Sequence, residues 1–130
     1  MIAVSEDIFR LAQKFTISRG SKTEAHVLTV RIERGGHTGR GECVPYARYG
    51  ESIESVRAQI QSLPFDITRQ ALQEILPAGA ARNAVDCALW DWEAKHSSRR
   101  VWELARLAEP QPMMSAFTLS LDTPQRMRVA

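Results

Sequence analysis

Val27-Leu28-Thr29-Val30-Arg31-Ile32-Glu33-Arg34-Gly35-Gly36-His37-Thr38-Gly39-Arg40-Gly41-Glu42-Cys43-Val44 is the stretch that decides the architecture. Its opening residues are rich in β-branched side chains, which suit a half-buried pleated surface. Gly35-Gly36 can supply the positive φ values of a tight hairpin turn, and Thr38 to Val44 returns as the partner strand. Upstream, Ile2 to Thr16 is compatible with a further extended strand, although Ile8-Phe9-Arg10-Leu11 mixes periods. The expectation is a three-stranded antiparallel meander sheet. Gly36, Gly39 and Gly41 lack the spacing of a dinucleotide or phosphate loop and no helix follows at once, so they read as hairpin and strand glycines.

Beyond Gly50 the apolar period lengthens: Ile53, Val56, Ile60 and Leu63 fall three or four apart, on one face of a helix. Ser52 is placed to cap it, Glu54 to meet the positive end of its dipole, and Pro64 to stop it. Thr68 can cap a second, short helix whose Leu72, Ile75 and Leu76 face inward before Pro77 and Gly79 interrupt. The longest helix is expected from about Ala78 to His96, with Ala81, Val85, Ala88, Leu89 and Trp92 on one stripe. Ala80, Ala84 and Ala88 form a narrow ridge that admits another backbone, so this helix should be covered. Val101 to Leu107 suggests one more helical segment, ended by Glu109-Pro110-Gln111-Pro112. Met113 to Leu121 then reads as a strand, and Asp122-Thr123-Pro124 as a helix start. The overall class is α+β: the meander sheet, then a helical bundle, then the opening of a βα unit. Because the chain reaches Ala130 inside that last helix, a truncation, a split gene or a fragment is expected.

Composition narrows the function classes. With 44% hydrophobic and 25% charged residues over 130 positions, the chain has the make-up of one ordinary globular domain and not of a disordered tail. Seventeen basic and fifteen acidic side chains are scattered, which gives nucleic-acid binding little support. The start lacks a basic region followed by an apolar core, and no run approaches the roughly 20 apolar residues of a membrane span, so a cytoplasmic protein is expected. Cys43 and Cys87 lie far apart without metal-ligand spacing and read as reduced packing thiols.

Two stretches could close on a ligand: Phe15-Thr16-Ile17-Ser18-Arg19-Gly20-Ser21 and Gly41-Glu42-Cys43-Val44-Pro45-Tyr46-Ala47-Arg48-Tyr49-Gly50-Glu51. With Pro77-Ala78-Gly79-Ala80-Ala81-Arg82-Asn83-Ala84-Val85-Asp86-Cys87-Ala88-Leu89-Trp90-Asp91, they resemble the amino-terminal capping domain of the enolase superfamily, in its muconate-lactonizing-enzyme-like subgroup and its dipeptide epimerase branch. The resemblance implies residues 1–112 as the cap and residues 113–130 as the first strand and helix start of a truncated (β/α)₈ barrel. It also implies mobile loops at about Phe15 to Thr23 and about Cys43 to Ser52. One departure is Lys14, where family members often carry proline.

Arg19 is the first candidate for substrate binding, because a guanidinium can hold a carboxylate through two parallel charge-assisted hydrogen bonds. Tyr46 and Tyr49 either shut out water as the second loop closes or pack that loop onto the sheet. Arg48 reads as solvated. Thr118 matches the family position at the end of the first barrel strand, where active-site groups project. Asp86 and Asp91, five apart on a helix, point in rather different directions, while Asp91 with Lys95, and Glu93 with nearby bases, make surface pairs. Neither these carboxylates nor His26, His37 and His96 show metal spacing. Trp90, Trp92 and Trp102 read as core or interface anchors.

The resemblance implies inversion at the glutamate Cα of L-Ala-D-Glu, a murein peptide fragment, by barrel lysines with Mg²⁺ in the full-length parent. No catalytic residue and no metal ligand falls in this chain, which should be inactive alone. Its partners would be a dipeptide, the missing barrel and, through the alanine-rich helix and the orphan strand left uncovered, a second copy of itself. The alternatives are another enolase-superfamily activity, of the muconate cycloisomerase or o-succinylbenzoate synthase type, and a non-catalytic α+β binding module.

Overall fold

The structure is a computed structural model that describes residues 1–129. Strand β1 (Ile2–Ile17), β2 (Gly20–Arg34) and β3 (His37–Cys43) form one antiparallel sheet in that order. Gly35 and Gly36, at φ 55° and 76°, make the two-residue turn between the paired Arg34 and His37. Helices α1 (Ile53–Gln61), α2 (Arg69–Ile75) and α3 (Ala80–Ser97) follow, then the short α4 (Val101–Leu104) and α5 (Pro124–Arg128). Among the described residues no helix is long and apolar enough to cross a membrane.

Strand alternation sends Leu28, Val30 and Ile32 to one face, where they are fully buried together with Val56, Ile60, Leu72, Val85 and Leu89 from the helices. Each such side chain contributes roughly 1.5–3 kcal/mol of transfer free energy. The helix starts form as their residues dictate. Ser52 accepts from Ser55 N–H while Ser55 Oγ accepts from Ser52 N–H, and Thr68 accepts from Ala71 N–H. Ile75, expected inward, is exposed; Leu72 and Leu76 carry the contact of α2 with the core.

The alanine ridge of α3 does not wait for an outside cover. Ala84 and Ala88 are completely buried against β3, and the fit requires glycine on the strand: a Cβ at Gly39 would fall 2.0 Å from Ala88 O, and one at Gly41 would fall 1.9 Å from Ala84 O. The same helix also bonds three backbone groups along the β3 edge of the sheet. Asp91 accepts from Arg40 N–H at 2.8 Å, Lys95 donates to Thr38 O at 2.9 Å, and Asn83 donates to Glu42 O at 3.4 Å. Covering β3 with a helix in this way blunts that edge as a template for another strand.

The strand expected over Met113 to Leu121, and with it the opening strand assigned to residues 113–130, does not form. A strand needs a neighbouring backbone to pair with, and here only Leu121 N–H donates to one, at Thr16 O (2.8 Å). Met114 and Phe117 are 100% and 84% exposed. The expected helix start does form: Thr123 accepts from Arg126 N–H, with Pro124 at the first helical position of α5.

Candidate functional site

The first expected loop is mostly strand. Thr16 pairs with Ser21 and Ile17 with Gly20, which leaves Ser18-Arg19 as a two-residue turn at the end of a long hairpin arm. Arg19 is exposed at that tip, and among the described residues its side chain has no hydrogen-bond or ion-pair partner. Below the tip the ladder is interrupted: Arg10 pairs with Glu24 and Phe15 with Lys22, so Leu11 to Lys14 face Thr23 alone. A bulge of this kind bends the strand and strengthens its twist.

The second loop carries a single 3₁₀ turn, Ala47–Tyr49, closed by Gly50 in the left-handed region at φ 73°. Tyr46 and Tyr49 meet edge to face, with ring centroids 6.4 Å apart, and are 49% and 75% exposed. Glu51 holds this loop in place: Oε2 accepts from Tyr46 N–H at 3.1 Å and Oε1 from Ala80 N–H at 2.7 Å. Helix α3 starts at Gly79, which has no side chain to cap it, so the Glu51 carboxylate meets the positive end of that dipole from a distant loop.

The arm touches both other parts of the candidate site. Lys22 Nζ lies 4.9 Å from the centroid of the Tyr46 ring, a cation–π contact between arm and second loop. On the other strand of the arm, Thr16 N–H donates to Ser120 Oγ at 2.9 Å and Ser120 Oγ donates to Lys14 O at 3.2 Å. Thr118 itself is exposed just upstream. Lys22, Glu51 and Ser120 carry these connections, and no sequence spacing marks them because each partner lies on a different element.

Several other titratable groups pair with one another within the fold. Glu93 is gripped by Arg69 at 2.9 Å, and the Arg69 guanidinium stacks 3.5 Å over the Trp90 ring; Asp91 is shared by Lys95 and Arg40. Trp92 is half-buried, bonded to Arg34 O and stacked on His96. Burial, helped by Glu51 and Glu42, pushes the Cys43 thiol up to about 11, so it is neutral at physiological pH. At the root of the arm, His26 bonds Glu6 at 3.1 Å and Glu24 at 3.2 Å, and Arg57 of α1 reaches Glu6 at 3.5 Å; the bond to Glu6, then that to Glu24, raises the imidazole above its ordinary 6.5. Among the described residues no three His, Cys, Asp or Glu side chains converge as a metal set.

The three-stranded antiparallel sheet with its helices, bearing an arginine-tipped arm beside a tyrosine-bearing loop, has the architecture of the enolase-type amino-terminal capping domain. The chain belongs to the family described as mandelate racemase / muconate lactonizing enzyme, N-terminal domain, which matches residues 2–105. It is 46% identical over 130 residues to the L-Ala-D/L-Glu epimerase of Escherichia coli (strain K12), an alignment that takes in 97% of this chain and 40% of that protein. It is 49% identical over 98 residues to the N-acetyl-D-glutamate racemase of a Pseudoalteromonas species, covering 71% of this chain and 31% of that one. The chain thus spans 40% or less of the length of these curated relatives. Among solved structures it superposes with a TM-score of 0.92 and 48% identity on an enolase family member from Agrobacterium tumefaciens with homology to dipeptide epimerases, solved with sodium and L-Ala-L-Glu bound and a loop ordered, covering 98% of this chain and 40% of that one. A dipeptide epimerase from Cytophaga hutchinsonii, solved with Mg and D-Ala-L-Val, matches at a TM-score of 0.79 and 25% identity, covering 98% of this chain and 38% of that one.

Proposed function

We propose that this chain is the specificity cap of a Mg²⁺-dependent epimerase that interconverts L-Ala-D-Glu and L-Ala-L-Glu in murein peptide metabolism, in the cytoplasm. The observation that carries the reading is the double contact of the arm, with Tyr46 through Lys22 and with the Thr118 segment through Ser120. That double contact supports reading Arg19, at the tip of the same arm, as the carboxylate clamp of a site shared with both other elements. In this reading Arg19 binds the glutamate side-chain carboxylate, Tyr46 and Tyr49 exclude water over the closed ligand, and the Thr118 hydroxyl bonds its polar backbone. Residues 1–112 are the cap and residues 113–130 begin the barrel.

Inversion at Cα requires a base on one face of the carbon and an acid on the other. Those groups and the Mg²⁺ belong to the barrel in this proposal, and this chain alone binds without turnover. Exposed Met113, Met114 and Phe117 then pack on that barrel; in the separate chain they favour self-association.

The similarity to an N-acetyl-D-glutamate racemase favours one variant of the reading. Both substrates are glutamates acylated on nitrogen, and Arg19 serves either. The test is solvent deuterium incorporation at the glutamate Cα, followed by NMR, with L-Ala-D-Glu and N-acetyl-D-glutamate offered to the polypeptide that joins this chain to its barrel. Exchange is expected with the dipeptide. Exchange confined to N-acetyl-D-glutamate transfers the assignment to the second substrate, and exchange with neither overturns both in favour of a cycloisomerase-type reaction or a binding module.

A further inference from the structure

We propose that Ser120 is a positioning residue: its hydroxyl fixes the arm that ends in Arg19 against the segment that carries Thr118, and so sets the span between these two ligand-binding groups. The inference rests on the function proposed above. A serine hydroxyl offers one donor and two acceptor sites. Here it donates to Lys14 O and accepts from Thr16 N–H, while the next residue, Leu121, donates to Thr16 O at 2.8 Å. These contacts join points more than a hundred positions apart in sequence, with separations of 104 and 106 residues.

Their placement makes them consequential. They land on β1 beside the bulge, where Leu11 to Lys14 face Thr23 alone and the hairpin ladder is weakest. A weakly laddered stretch bends, and everything beyond it, Arg19 included, bends with it. Ser120 braces that stretch from the side. It lies two positions after Thr118, so the same hydroxyl holds the near ends of both levers. A buried ligand pocket is not required for this role, because the brace acts on the backbone and not on the ligand.

Kinetics of the complete enzyme and hydrogen exchange of the 130-residue chain test the proposal together. Ser120→Ala is expected to raise KM for L-Ala-D-Glu about tenfold with kcat nearly unchanged, and Ser120→Thr, which keeps the hydroxyl, to restore most of it. In an Arg19→Ala background the same substitution should change KM less than about twofold, because the residue it acts through is gone. The Thr16 amide should exchange at least about tenfold faster in Ser120→Ala while the Val30 and Ile32 amides keep their protection, which separates a loosened arm from an unfolded domain. Full additivity with Arg19→Ala, a loss confined to kcat, or an unchanged Thr16 amide overturns the proposal. If the wild-type enzyme turns over no acylated glutamate, the functional reading falls first, and the Thr16 amide alone then decides whether arm and segment are coupled.

Discussion

Gly41 lies so close to Ala84 that a Cβ on the glycine would fall 1.9 Å from the alanine's carbonyl oxygen. The obstructing atom is helix backbone, which cannot swing aside like the end of a side chain. Gly41→Ala must therefore push α3 off the sheet, with an expected loss of about 3 kcal/mol. Urea denaturation followed by far-UV circular dichroism measures it. A midpoint within error of the parent would show that the strand and helix are less tightly apposed than described.

Glu51 joins the second loop to the start of α3 through Tyr46 N–H and Ala80 N–H. Glu51→Ala strands two backbone donors and removes a carboxylate from a helix N-terminus, for an expected loss of about 1–2 kcal/mol. Amide exchange should accelerate at Tyr46 and Ala80 and stay slow at Leu28. Uniform acceleration across the sheet would instead make Glu51 a core residue in effect.

His26 gives the arm a pH dependence of calculable sign. Its folded pKa is raised above 6.5, first by the bond to Glu6 and then by that to Glu24. A raised folded pKa means that the protonated form is favoured in the native state, so its contribution is complete below the unfolded value and fades as pH rises through the folded value. Stability should fall from about pH 6.5 upward, and His26→Gln should flatten that slope. An imidazole titrating below 6.5 by NMR would reverse the sign and refute the account.

Arg19 is expected to act on binding more than on folding. Exposed at the turn, it can be replaced by alanine with almost no change in melting temperature, yet kcat/KM of the complete enzyme for L-Ala-D-Glu should fall at least about thirtyfold, the value of a charge-assisted bidentate contact. Lysine should not rescue it, since a point charge cannot bond both carboxylate oxygens. Full activity in Arg19→Ala would remove the arm from ligand recognition.

The meander sheet, the Gly35-Gly36 turn, the caps at Ser52, Thr68 and Thr123, and the helical stripes were legible in the chain because each depends on neighbours within a few residues. The candidate residues Arg19, Tyr46, Tyr49 and Thr118 were likewise visible as residue types in loops or near a chain turn, and the family resemblance told which of them to look at. The reading went astray where pairing matters. Met113 to Leu121 has strand composition but no backbone to pair with, and the alanine ridge of α3, read as awaiting an outside partner, is filled by Gly39 and Gly41 of the same chain.

Amino-acid order alone determined the Gly35-Gly36 turn and the starts and apolar stripes of α1, α2 and α3, since propensity, capping and hydrophobic period are local properties. Only the folded arrangement decided that Lys22 reaches Tyr46, that Glu51 caps a helix begun by glycine, and that Ser120 braces the arm at its bulge. Contacts across such separations depend on strand register and the packing angle of α3, and no short-range pattern encodes either.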